Sequence, residues 1–266
     1  MHLRSRLMGI LAIGLVATGC SVGQHSGPYD VATAGNKLVL TIYTYGGLAA
    51  SNYDQWASSE SQFSLYGDGR VILNCAAYQM HPDVLPCLDE IHVSPDEIQR
   101  IVVAADTAGL LSDASFDDYL WTDDETTVFK TTVGGTTHTV EAYALDPSYP
   151  STDGGVKAAR QRLIAFRASM TDLSGFLGRK MDIKPYAATS MRVRAHSAET
   201  SSPQAPAPVR TWPLPQARAE GGTGVTLTGV DMATFVGAAA GATVWSVWSA
   251  PNGYFQLSAH PLCPNE

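Results

Sequence analysis

Phe63-Ser-Leu-Tyr-Gly-Asp-Gly-Arg-Val-Ile-Leu73, followed by Ser94-Pro-Asp-Glu97 and the apolar residues behind it, sets the fold class of this chain. The first run has apolar residues on both sides of Asp68-Gly69. That dipeptide supplies the positive φ of a type I′ turn, so the run reads as a β-hairpin. The second opens a helix. Ser94 stands at the N-cap, Pro95 at the first helical position and Glu97 at the third, which is a capping box. Ile98, Ile101, Val102 and Ala105 then fall on one stripe, and Gly109 suits the stop.

Working outward, the same alternation of hairpin and helix recurs. Leu38 to Tyr45 is rich in β-branched and aromatic residues and predicts a strand, with a loop from Gly46 to Glu60. Thr126–Val133 and Thr136–Tyr143 flank Gly134-Gly135 as a second hairpin. A long helix is expected from about Gly155 to Ser174, with Val156, Ala159, Leu163, Phe166, Met170 and Leu173 on its buried stripe. A strand near Met191 to Ala195 leads into the Pro-rich run 197–209, a linker or long loop that cannot hold a ladder. Val230 to Ala240 predicts a short helix. Val244–Ala250 and Tyr254–His260 predict a last hairpin around Asn252-Gly253.

Helices that alternate with hairpins, rather than with single strands, predict an α+β fold. Its sheets should be antiparallel and its helices packed on one face. Laying the two short helices together puts Ser94 on Thr228, Ile98 on Met232, Ile101 on Phe235, Val102 on Val236 and Ala105 on Ala239. Each helix precedes a hairpin, which suggests two β-α-β-β lobes, the second reduced. The expected organisation is a signal peptide over 1–19, a flexible tether over 20–36, an α+β domain over 37–178 and a smaller α+β lobe over 179–266.

Composition bounds the function. The chain has 266 residues with 17 basic and 25 acidic side chains, a formal charge of −8 that argues against general nucleic-acid binding. Met232 to Ala250 carries no charge, but its Gly, Ser and Thr content and the Asn-Gly turn that follows read as helix then strand rather than a membrane span. There is no Gly-x-Ser-x-Gly, no Ser-x-x-Lys, no His-Glu-x-x-His and no P-loop. No catalytic residue, resident metal or cofactor is therefore expected.

The N-terminus carries an address. Arg4 and Arg6 precede the apolar run Leu7 to Val16, and small residues follow. That run is too short to span a bilayer, which needs roughly 20 residues. Ala17-Thr18-Gly19-Cys20 resembles a bacterial lipobox. The resemblance implies acylation of Cys20, cleavage before it, and a protein held outside the cytoplasm by lipid, at the inner or outer membrane. The mature chain keeps 15 basic and 25 acidic side chains, a charge of −10. Lipid rather than surface charge would then hold it to the membrane. The body is similar to bacterial envelope lipoproteins in its Tyr66 to Ile72 hairpin and its Pro261-Leu-Cys-Pro-Asn-Glu266 tail; this resemblance implies no activity.

Four cysteines are present, at 20, 75, 87 and 263. With Cys20 acylated, a Cys75–Cys87 disulfide is favoured, and a bridge from either to Cys263 is the rival. The favoured bridge would present Tyr78 to Leu85 as a rigid projection. Two further groups are candidate sites. Asp117, Asp118, Asp123 and Asp124 form a dense acidic loop, weakly suggestive of Ca²⁺ and otherwise a solvated turn. Tyr43, Tyr45, Tyr53 and Trp56 form a candidate aromatic contact surface, unless they are sheet core and rim. The favoured function is a non-enzymatic binding module for an unidentified protein or other envelope partner. An envelope enzyme with an unfamiliar site and an inhibitor of an extracellular hydrolase are the alternatives.

Overall fold

In the computed structural model the capping box forms as the sequence dictates. Ser94 Oγ accepts from Glu97 N, and Glu97 Oε2 accepts from Ser94 N at 2.7 Å. Helix α1 (Pro95–Ala108) ends at Gly109, whose φ of 90° is the left-handed stop. The structure describes residues 28–46, 61–74, 84–117, 124–148, 154–197, 209–214, 224–243, 245–251 and 253–264.

Four strands precede α1: β1 (Leu38–Gly46), β2 (Ser61–Tyr66), β3 (Arg70–Asn74) and β4 (Leu88–His92). After α1 come β5 (Ala114–Phe116), β6 (Glu125–Val133), β7 (Thr136–Tyr143), helix α2 (Gly154–Thr171), the short α3 (Leu173–Leu177) and β8 (Lys184–Pro185). They build one eight-stranded sheet in the order β5-β7-β6-β1-β2-β3-β4-β8, antiparallel except for the β5–β7 pair. A five-stranded sheet follows, ordered β10-β12-β13-β9-β11. Its members are β9 (Ser190–Ser197), β10 (Arg210–Thr211), β11 (Val225–Thr228), β12 (Val247–Ala250) and β13 (Gly253–Pro261), with helix α4 (Gly229–Ala239) between β11 and β12.

Each sheet buries one face under helix. Leu40, Ile42, Leu65, Val71, Phe129 and Val140 of the large sheet meet Ile98, Ile101 and Val102 of α1 and Leu163, Phe166 and Met170 of α2. In the small sheet Val193, Leu227, Trp248 and Leu257 meet Phe235 and Ala239 of α4. The chain is thus α+β, with mostly antiparallel sheets and helices on one face of each. The helix correspondence holds for the buried pairs Ile101/Phe235 and Ala105/Ala239. It fails where Val102 is buried but Val236 is 36% exposed, and Thr228 makes no side-chain cap.

Several boundaries move. The tether was expected to reach Asn36, yet the chain docks from Tyr29, which is buried in the large core. Its hydroxyl donates to Asp106 at 2.6 Å, and its backbone exchanges two hydrogen bonds with the Gln99 amide. An aromatic ring beside an amide and a carboxylate on α1 has enough partners to stay down. The first unit also runs past 178, because Met181 is core and β8 pairs with β4. In the first hairpin only Gly69 has positive φ, and Gly69 N donates to Tyr66 O. The connection is therefore a turn over Gly67-Asp68 followed by a left-handed glycine, not a type I′ turn. Gly67 has no room for a side chain, since a Cβ there would lie 1.8 Å from Ala32 O. In the last hairpin β12 starts at Val247, and Gly253 already pairs with Ala250.

The expected projection of Tyr78 to Leu85 is also overturned where it is described. Val84 is 1% exposed, belongs to the small lobe's core and donates its N–H to Ala242 O. Its apolar side chain gains more from that core than from solvent. The small lobe returns the contact, since Cys263 is buried against Tyr66, Ile72 and Leu88 of the large sheet. Cys263 is not in a disulfide, which removes the rival pairing. Cys75 and the Pro-rich run from 198 to 208 lie outside the described residues. No helix among the described residues is long and apolar enough to cross a membrane.

Candidate functional site

Strand β1 decides which aromatic residues share a surface. Leu40 and Ile42 point into the core under the helices, so Thr41, Tyr43 and Tyr45 point to the opposite, outer face. Register extends that face across three strands. Tyr43 stands opposite Val128 of β6, and Val128 opposite Glu141 of β7. Tyr45 stands opposite Thr126, and Thr126 opposite Tyr143; Thr41 stands opposite Lys130.

The side chains on this face engage one another. Lys130 Nζ lies 5.3 Å from the Tyr43 ring centroid, a cation–π arrangement. Tyr45 Oη donates to Glu141 Oε2 at 3.4 Å. Partial burial, then the Glu141 charge, push the Tyr45 phenol above its ordinary value. Deeper on the same face the hydroxyls of Thr41, Ser61 and Ser64 form a closed cluster, with Ser61 and Ser64 at 2.6 Å. Val128 is fully buried, while Tyr45 is 41% exposed, so the accessible part of the face is its Tyr45 end. There the surface offers ring faces, a phenol, an ammonium and a carboxylate within one patch, a mixture suited to recognising a partner that is part apolar and part polar.

Tyr43 and Tyr45 are brought together as expected from their spacing; Tyr53 and Trp56 lie outside the described residues. Of the acidic loop, Asp118 and Asp123 also lie outside them. Asp117 Oδ1 accepts from Ser115 Oγ at 3.1 Å, and Asp124 Oδ1 accepts from Glu125 N at 2.7 Å, both local turn contacts. Asp124 N donates to Tyr143 Oη at 2.9 Å, which ties the end of the loop to the aromatic face. No three His, Cys, Asp or Glu side chains converge to hold a metal among the described residues.

Sequence reasoning did not single out Lys130, Glu141 or Tyr143. The alternation of β6 and β7 shows that each lies on a sheet face, but only the cross-strand register puts them beside Tyr43 and Tyr45. Comparison with protein-family models, with curated proteins and with solved structures finds no match to this chain.

Proposed function

We propose that this chain is a lipid-anchored extracytoplasmic binding module that meets an envelope partner through the Tyr45 end of its outer sheet face. The anchor half of the reading rests on the leader: basic n-region, short apolar run, small residues and Cys20, in that order. The binding half rests on one observation, the half-exposed Tyr45 on an ordered sheet face with Lys130 over Tyr43 and Glu141 at its hydroxyl. Side chains fixed by such contacts lose less entropy when a partner arrives.

The test uses a photo-crosslinking residue at position 45 in intact cells, with a second chain carrying it at position 107 on the exposed surface of α1. A discrete adduct is expected from position 45 and not from 107, and Lys130→Glu should abolish it. Equal adducts from both positions, or none from 45, would overturn the contact surface. In parallel, Cys20→Ala should move the protein from the detergent phase to the aqueous phase. Retention in membranes would remove the anchor.

A further inference from the structure

Strand β9 alternates sharply. Met191 and Val193 enter the small core, which leaves Arg192 and Arg194 on the opposite face. Antiparallel pairing with β13 puts Ser258 directly across from Arg194 and His260 directly across from Arg192. On the other side, β11 brings Thr226 opposite Arg192. No carboxylate stands on this face among the described residues, although the chain as a whole carries −8.

Three observations indicate that the face is incomplete without an anion. First, the guanidinium of Arg192 is half-buried and makes no hydrogen bond or ion pair. Second, Arg194 lies two residues along the same face, so two like charges share one partly desolvated surface. Burial, and then the Arg192 charge, both pull the Arg194 guanidinium down. Third, Ser258 is 7% exposed and its Oγ is buried without a hydrogen-bond partner. A buried hydroxyl left unsatisfied costs about 1–3 kcal/mol, so native proteins rarely keep one without use. The backbone also makes room here. Gly224 at the start of β11 has φ +67°, and a Cβ there would lie 2.5 Å from Arg194 Cγ.

We propose that Arg192, Arg194 and Ser258 form a binding site for a dianionic phosphate group, either free or as a phosphomonoester. Two guanidiniums match the two charges of a dianion, and their planar forks match its oxygen geometry. The Ser258 hydroxyl supplies a neutral donor to a third oxygen. A carboxylate would neutralise only one of the two cations. The site lies on a different sheet from Tyr43 and Tyr45 and does not depend on the reading of that surface.

The experiment is isothermal titration of the full chain with inorganic phosphate, glycerol phosphate and dimethyl phosphate, at fixed ionic strength and at pH 8. Inorganic phosphate is expected to bind with one-to-one stoichiometry. Glycerol phosphate binding as tightly marks an ester as the source, and weaker binding marks the free ion. Dimethyl phosphate, a monoanion, should bind at least tenfold more weakly than inorganic phosphate. Arg192→Gln should cut phosphate affinity at least tenfold, Ser258→Ala several-fold, and Arg192→Lys less than Arg192→Gln. Lys184→Gln, a change at an exposed lysine paired with Asp182 far from β9 in the large sheet, should leave it unchanged. Circular dichroism of each variant establishes that it is folded before it is titrated. No binding by the unaltered chain, full binding by folded Arg192→Gln, or dimethyl phosphate binding as tightly as inorganic phosphate would each overturn the proposal.

Discussion

Asn74 and Leu88 face each other as the end pair of the β3–β4 ladder, and the next residues outward on the two strands are Cys75 and Cys87. Facing residues of an antiparallel pair have Cα atoms about 4.5–5.5 Å apart, inside the range a disulfide spans. Were the ladder continued by one step, it would oppose the two thiols. Non-reducing peptide mapping is therefore expected to join the Cys75 and Cys87 peptides. Cys263, 6% exposed against Tyr66 and Leu88, should react with alkylating reagent only on unfolding. Reduction should cost up to about 3 kcal/mol, the scale for closing a loop of this size. A peptide linking Cys263 to either residue would contradict the pairing.

Ser94→Ala should cost about 1 kcal/mol by urea denaturation, the usual loss for an N-cap hydroxyl. Glu97 has a second role that adds pH dependence. Its carboxylate takes Arg179 Nε at 2.5 Å and Arg179 Nη2 at 2.9 Å besides the Ser94 N–H. The Arg179 hydrogen bonds first, then the Ser94 N–H, hold the carboxyl down to about 2 from an ordinary 4.5. A depressed folded pKa stabilises above the unfolded value and loses that contribution as pH falls toward the folded one. Stability should therefore decline between about pH 4.5 and pH 2, and Glu97→Gln should flatten that part of the profile. An identical acid slope in the variant would assign the decline to other groups.

Tyr29→Phe tests whether the chain docks where the structure puts it. Loss of the hydrogen bond to Asp106 should cost about 1.5–3 kcal/mol, the range for a bond to a charged group. Burial, and then the Asp106 carboxylate, push the Tyr29 phenol up to about 12. A raised phenol stabilises below its unfolded value and loses that contribution as pH rises through the folded one. One tyrosine should thus remain protonated in an ultraviolet titration past pH 10 and disappear from the curve in Tyr29→Phe.

Arg160 is the buried cation of α2. It donates to Tyr143 O at 2.7 Å and to Ala144 O, at a turn where Ala144 is held at φ +50°. Arg160→Met keeps the length but leaves buried carbonyls without donors, at about 1–3 kcal/mol each. Chemical denaturation should show a loss of several kcal/mol on that basis. Arg167→Met, which removes one bond to Leu145 O and one to Thr127 Oγ1, should cost less. A larger loss for Arg167 would show that the Tyr143–Ala144 turn is held by something else.

What the sequence determined by itself was local. The Ser94–Glu97 box, the Gly134-Gly135 turn, the buried stripe of α2 and the strand at Leu38 each follow from interactions within a few residues, and each is formed. Local chemistry also named Tyr43 and Tyr45 as neighbours, because a period of two puts them on one face. Tertiary structure decided everything that needs a partner distant in sequence. Lys130 and Glu141 join Tyr43 and Tyr45 only through the register of β1, β6 and β7. Tyr29 leaves the expected tether because Gln99 and Asp106 offer it partners some seventy residues away. Val84 is drawn out of a loop by a core assembled from β9 to β13. Arg192 and Ser258 share a face only because β9 and β13 pair, and no spacing within either strand encodes that pairing. Side-chain period is a property of one strand, whereas register is set by burial on both sides of a ladder, which depends on the whole chain.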